Sequence, residues 1–289
     1  MTETIYKIDE NKCTKCGLCV KDCIAAKNGI LPAVNNIDKC LKCGHCYAVC
    51  PAGAVSINRN NPAEEEKILS QNPDMILNLI KSRRSIRRYK QENLDRELLN
   101  KLKNMLNWVP TGCNHHKLHF SFIDDIEVMN EFRDYTNNKI ISILKNKAVK
   151  SICDKFGSYA DRFINGEDII FRGAPHLIAA ANPISAPCAK EDAVIALSYF
   201  ELYAQSLGIG TCWCGYAQIC LKVIPELCGY LKIPDGYQPE YVMLFGAKAV
   251  NYSRITRPEP VSIISAEKTG IKKMGVSDTL KRYFWNTIR

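Results

Sequence analysis

From residue 72 onward the apolar positions of the chain switch between two periods. Met75, Ile76, Leu79 and Ile80 recur at helical spacing behind Asn72-Pro73, a polar cap with proline in the first turn. Leu98, Leu99, Leu102, Met105 and Leu106 stripe a second predicted helix from about Asp95 to Trp108, which Pro110 stops. His119–Ile123 alternates like a strand, 126–147 returns to helical spacing, and Pro175–Ala181 is an apolar run that reads as a buried strand. Glu191–Leu207 is a strongly apolar helix closed by Gly208, Cys220–Leu231 a further helix, and Glu240–Ala247 a last buried strand. Such mixing predicts the α+β class. Residues 58–66 are polar, with Pro62 as a stop, and the first 60 residues have too few large apolar side chains to fold unaided. We therefore expect a module at 1–60, a linker at 61–72 and a second domain at 73–289. The aromatic tail residues Tyr283, Phe284 and Trp285 have no clear home in that scheme.

Cysteine supplies what the first module lacks. Cys13, Cys16, Cys19 and Cys23 read C-x2-C-x2-C-x3-C, and Cys40, Cys43, Cys46 and Cys50 repeat it 27 residues later, ending in Cys50-Pro51. Three thiolates at steps of three fit the corners of one iron–sulfur cube, and the fourth is carried to a second cube. The expected sets are Cys13, Cys16, Cys19 and Cys50 for one 4Fe-4S cluster, and Cys40, Cys43, Cys46 and Cys23 for the other. Zinc also binds C-x2-C pairs, but its four ligands leave no use for a third, repeated step of three. The flanks repeat too: Lys12–Gly17 parallels Lys39–Gly44, and Gly17 and Gly44 suit a tight loop around a cube. This duplication resembles bacterial two-cluster ferredoxins over about residues 5–58. Ile24 departs from that family, which usually has proline there.

Composition then narrows the setting. No charged amino-terminal start leads into an apolar run, and no stretch approaches a membrane span, so we expect no signal peptide, no membrane and a cytoplasmic, reducing location. The formal charge of +9 invites a nucleic-acid reading. Two oxidised cubes with their thiolates carry −2 each, which leaves an excess of about +5, partly in Arg83, Arg84, Arg87 and Arg88; nucleic acid is not expected. Cys113, Cys153, Cys188, Cys212, Cys214, Cys220 and Cys228 show no metal spacing and read mostly as small buried residues. His45 reads as a solvent-facing loop residue, and His115, His116 and His119 form no convincing metal triad.

Four segments of the second domain carry candidate chemistry. Arg83-Arg84-Ser85-Ile86-Arg87 packs three guanidinium groups around a hydroxyl, which suits a phosphate, although alone it reads more readily as a solvated basic turn. Pro110–His116 is a turn-forming run whose Asn114 and His116 could bond sugar hydroxyls or a ring edge. Gly208–Gly215 ends the apolar helix with glycines that leave backbone amides free to face a planar ring. Arg254-Ile255-Thr256-Arg257-Pro258 follows the last strand and could return arginines to the same phosphate.

In this order the four resemble the flavin-dependent nitroreductase family, over about residues 73–262. The resemblance implies a central, mostly antiparallel sheet within helices, and a homodimer with flavin mononucleotide (FMN) at the subunit interface. It casts Arg83, Arg84, Ser85 and Arg87 as the phosphate signature. Pro110–His116 matches a P-[ST]-x-x-N-x-Q loop, with Thr111 and Asn114 near the flavin and His116 where glutamine is common. Trp213, Cys214 and Gly215 would lie against the ring, Arg257 would match a carboxy-terminal phosphate arginine, and Arg254 is a weaker match. The implied arrangement takes the Pro110–His116 loop from the partner chain and makes Glu191–Leu207 the dimer core.

The joint expectation is an oxidoreductase. An external redox protein or a nicotinamide would supply electrons, two 4Fe-4S clusters would carry them to FMN, and FMN would reduce a small organic acceptor such as a nitro compound or an activated double bond. The competing expectation is an electron-transfer flavoprotein that serves another protein and turns over no small molecule.

Overall fold

The structure is a computed structural model and describes residues 6–31, 34, 37–57, 60–64, 68–146, 159–266, 277 and 280–281. Cys153, Tyr283, Phe284, Trp285 and residues 65–67 of the expected linker lie outside them. Two compact units emerge, residues 1–255 and 256–289, so the first unit holds both the cysteine repeats and the apolar-patterned region.

At the amino terminus, β1 (Tyr6–Ile8) pairs antiparallel with β2 (Val55–Ile57), and α1 (Leu18–Asp22) and α2 (His45–Ala48) lie between them in the chain. The sequence duplication recurs in the backbone. Gly17 and Gly44 both stand at φ 75°, and Lys15 and Lys42 at φ 56° and 54°. Each left-handed glycine starts a helix that turns the chain around a cysteine loop, a conformation that a Cβ would strain. The small core is Leu31, Cys46 and Val55, with ligand-pattern cysteines packed on it, too little to hold a module without metal.

Beyond residue 68, α3 (Pro73–Ser82) starts on the Asn72 side chain, which accepts from the Asp74 and Met75 amides. Next come α4 (Arg96–Met105), capped by Asp95, β3 (His119–Ile123), α5 (Ile126–Leu144), α6 (Tyr159–Ile164) and β4 (His176–Pro183). The chain continues with α7 (Ala189–Ser206), β5 (Ile209–Trp213), α8 (Gly215–Val223), α9 (Glu226–Tyr230) and β6 (Tyr237–Ala247). The strands form one sheet in the order β3-β4-β6-β5, every neighbour antiparallel, and a parallel bridge from Ser85 to Thr211 makes it mixed. One face packs on α7 through Ala193, Ala196, Leu197 and Phe200; the other packs on α5 and α8. Among the described residues no helix is long and apolar enough to cross a membrane.

Three sequence expectations change. The single helix over Cys220–Leu231 divides into α8 and α9, because Pro225 lacks the amide that a continuous helix needs. The run after Gly208, expected to end the apolar helix with glycines that leave amides free, contains the edge strand β5. Finally, α7 buries most of its apolar surface within its own fold, since Ala193, Ala196, Leu197, Phe200 and Ala204 are fully covered. Of its large apolar side chains, Ile195, Tyr199 and Tyr203 remain exposed.

Candidate active site

Two cavities take up the cysteines. One, of about 170 Å³, is lined by Cys13, Cys16, Cys19 and Cys50. The other, of about 340 Å³, is lined by Cys23, Cys40, Cys43 and Cys46. Backbone amides already point at sulfur: Lys42 donates to Cys40 Sγ at 3.4 Å and Ala54 to Cys50 Sγ at 3.3 Å. Among the described residues no three His, Cys, Asp or Glu side chains converge as a single-ion site would require. Thiols ringing a cavity, with amide donors to sulfur, fit a cube.

A third cavity, of about 360 Å³, opens beside β5 and is lined by Ser85, Arg87, Arg172, Trp213, Cys214 and Gly215, among others. The Arg-rich segment reaches it by running along the sheet edge. Arg83 ends α3, the Ile86 amide then donates to Thr211 O at 2.8 Å, and Lys90 to Ala247 O at 2.9 Å. Gly210 permits this approach, because a Cβ there would stand 2.7 Å from Ile86 Cγ1. Its freedom from a side chain thus serves strand packing, while Gly208, at φ 79°, turns the chain out of α7.

The four members of the motif take different tasks. Ser85 and Arg87 face the cavity. Arg83 pairs instead with Glu201, its Nη1 3.2 Å from Oε1, and Arg84 donates to the Arg83 and Lys81 carbonyls. Glu201, buried in α7, also accepts from Trp213 Nε1 at 3.1 Å and from Thr211 Oγ1 at 3.4 Å. A lone acid inside an apolar helical stripe was the available signal for it, and sequence reading passed over it. Sequence reading also missed Arg172. It holds a left-handed φ of 54°, rare for a long side chain, in a turn that Asp168 locks by accepting from the Phe171 and Gly173 amides, both at 2.8 Å. Arg133 braces that turn, with Nε 3.1 Å from Asp168. Two guanidinium groups and a hydroxyl at one cavity fit a phosphate.

Trp213 packs edge-on against Tyr241, ring centroids 5.1 Å apart. Cys214 is buried, with its thiol donating to Ile170 O at 3.3 Å, and burial pushes its pKa up to about 12. It lines the cavity as a thiol whose burial disfavours the thiolate. Burial raises Cys212 as well. Arg254 is exposed and lines none of these cavities, and Arg257 is an exposed residue of the second unit.

The Pro110–His116 loop lies elsewhere. Pro110, Thr111, Cys113 and Asn114 wall the cavity of Cys23, Cys40, Cys43 and Cys46. Asn114 Nδ2 donates to Leu41 O at 2.8 Å, and its Oδ1 meets His116 Nε2 at 2.8 Å. Cys113, Asn114 and His116 all have positive φ, held by Gly112 N donating to Asp192 Oδ1 at 2.7 Å and His116 N to Thr111 Oγ1 at 2.9 Å. Gly112 is required there, because a Cβ would stand 2.6 Å from Cys188 Sγ.

Residues 80–247 match the nitroreductase family and residues 5–51 a 4Fe-4S dicluster domain. The chain belongs to the nitroreductase family. In this family member a 4Fe-4S dicluster domain precedes the nitroreductase domain. Its fold is similar to that of an FMN-bound nitroreductase from Bacteroides fragilis, at 21% identity and TM-score 0.54, covering 68% of this chain and all of that one. An FMN-dependent nitroreductase from Clostridium difficile is similar at 22% identity and TM-score 0.52, over 68% of this chain and all of that one. An FMN-bound nitroreductase from Desulfitobacterium hafniense gives 22% and 0.53, over 66% and 98%. Among curated proteins none matches significantly.

Proposed function

We propose that this nitroreductase is a cytoplasmic, homodimeric, FMN-dependent oxidoreductase that takes electrons from an external donor through two 4Fe-4S clusters and reduces a small organic acceptor. Cys13, Cys16, Cys19 and Cys50 would hold one cluster, and Cys23, Cys40, Cys43 and Cys46 the other. Ser85, Arg87 and Arg172 would bind the FMN phosphate, with Trp213, Cys214 and Gly215 beside the ring. Clusters supply single electrons, and bound flavin converts these to the electron pairs that a nitro group or double bond requires. Two single-electron deliveries, from two donor molecules that leave oxidised, balance one flavin reduction, with protons drawn from water.

The observation that carries this reading is the junction at the loop. Leu41, inside the second cysteine motif, accepts a hydrogen bond from Asn114, inside the loop of the flavin domain. A ferredoxin-like module docked in this way is suited to supply the flavin. The interface would be formed by exposed apolar residues of α7 and α3 (Ile195, Tyr199, Met75, Ile80).

The decisive test is Cys43→Ser in the full chain, purified without oxygen. Wild type is expected to carry about eight iron and eight sulfide per chain, and the variant about half. The variant should lose flavin reduction by a reduced bacterial ferredoxin while still reducing a nitroaromatic once its flavin is reduced chemically. NADH and NADPH run alongside identify the donor class. Unchanged reduction by ferredoxin in the variant would take that cluster off the path.

A further inference from the structure

We infer that electrons enter this chain at the set Cys13, Cys16, Cys19 and Cys50, and leave for the flavin from the set Cys23, Cys40, Cys43 and Cys46. The docking face for a one-electron donor protein is then the exposed surface around Cys16. This rests on the reading above, that the two sets hold clusters which feed the flavin.

The two motifs are near copies, and exposure alone does not rank them, since Cys16 and Cys43 are both exposed. Their surroundings do. The cavity of the first set is lined by residues between Ile8 and Val55, all of them in the amino-terminal module. The cavity of the second set takes Pro110, Thr111, Cys113 and Asn114 of the flavin domain into its wall. The Asn114 side chain also donates to Leu41 O, inside the second motif, at 2.8 Å. The two sets are joined through the core of the module, where Cys19 and Cys50 of the first and Cys23 and Cys46 of the second pack with Leu31 and Val55. One core thus links the sets, and the flavin domain meets the second.

The face around Cys16 has the make-up of a docking site for such a donor. Ile8, in the cavity wall, and Leu18, next to Gly17, leave apolar surface exposed, at 38% and 40%. Lys15 lines the same cavity, and Lys21 lies close enough for its charge to act on Cys16. Lys12 pairs with Asp9 at 3.8 Å, a contact between exposed side chains that holds it only weakly. Of the other acids nearby, Glu10 is exposed on this stretch, and Asp22 lies at the second cavity. Apolar surface with a charged rim is the anatomy of a protein interface. Lysines beside an exposed cluster ligand suit a donor whose own thiolate-bound cluster is negative, as in a reduced ferredoxin. Each donor gives up one electron and leaves oxidised, so two visits, with protons from water, balance one flavin reduction.

The internal repeat supplies a matched test. Lys12 and Lys15 correspond to Lys39 and Lys42, all four are exposed, and Lys15 and Lys42 share a left-handed φ of 56° and 54°. Two full-length variants, Lys12→Glu with Lys15→Glu and Lys39→Glu with Lys42→Glu, therefore make the same change at either set and keep every cysteine and backbone amide. Both should retain about eight iron per chain. Should either lose iron, the Lys→Gln pairs at the same positions give the comparison. Titration calorimetry with oxidised bacterial ferredoxin at low salt should show the first variant binding about tenfold more weakly than wild type, and the second within about twofold. Flavin reduction by reduced ferredoxin should follow the same order, while reduction by dithionite should be equal in all three. The opposite order or equal losses would overturn the inference, as would a wild-type protein that does not bind ferredoxin. If Cys43→Ser still blocks reduction in those cases, the cluster-to-flavin route stands without this polarity. A Cys43→Ser variant as fast as wild type would remove the route itself, and the exit through the second set with it.

Discussion

Residue by residue, the phosphate signature divides its labour, and each role has a measurable consequence. Arg87 and Arg172 face the cavity with Ser85, whereas Arg83 is turned to Glu201. A charged hydrogen bond contributes about 1.5–3 kcal/mol, so Arg172→Ala should weaken FMN binding by about 10- to 100-fold in a fluorescence titration. Arg83→Ala should weaken it less, and should instead lower the denaturation midpoint, because Glu201 keeps its charge in a buried place without its cation. Equal losses of FMN affinity would show that Arg83 turns to the phosphate. His176 offers a pH handle away from the cavities. Its Nε2 accepts from the Leu94 amide at 3.0 Å, its ring stacks on Phe245, and burial lowers its pKa from 6.5 to about 4, against the pull of Asp124 and Asp125. The unfolded chain binds this proton at a higher pH than the folded chain. The ring's contribution to stability is therefore complete above pH 6.5 and is lost as pH falls to about 4. An NMR titration of the ring should give a midpoint near 4, and a midpoint near 6.5 would mean that the ring is hydrated.

At the scale of elements, the edge strand β5 organises the cleft. It receives Ser85 by a parallel bridge and admits Ile86 against Gly210, while the buried acid of α7 fastens Trp213 at its end. Gly210→Ala puts a carbon 2.7 Å from Ile86 and 2.8 Å from Lys248. Overpacking of this kind costs about 1–3 kcal/mol. It should also displace Ser85 and Arg87, so both the thermal midpoint and FMN affinity should fall. Loss of stability with unchanged FMN affinity would separate strand packing from the cleft. The helices α3, α4, α5 and α7 and the strands β3 and β4 were legible from apolar period, and β6 in all but its first residues. The strand β5 was not, because three glycines in the eight residues 208–215 read as the end of a helix until a neighbouring chain segment is there to need the room.

For the whole molecule, the expected independence of the two modules meets a specific contact, Asn114 to Leu41. A chain lacking residues 1–62 should nevertheless remain dimeric and bind FMN, since the cleft residues and the exposed α7 stripe all lie beyond the cut. Size-exclusion chromatography with flavin analysis checks this, and a monomer that still binds FMN would contradict an interfacial site. The sequence by itself determined the cluster chemistry, because ligand spacing within a short loop is a local property and the two motifs are complete in the chain. It also determined the order of the flavin-domain segments, through residue types whose chemistry is readable singly. Only the tertiary structure decided which arginines face the cleft, that Arg172 is one of them, that Glu201 holds Arg83 and Trp213, and that the Pro110–His116 loop lies at the second cysteine set. Those facts depend on contacts between segments up to 118 residues apart, such as Arg83 and Glu201. No local pattern encodes which partner a side chain will meet when strands distant in sequence become neighbours in a sheet.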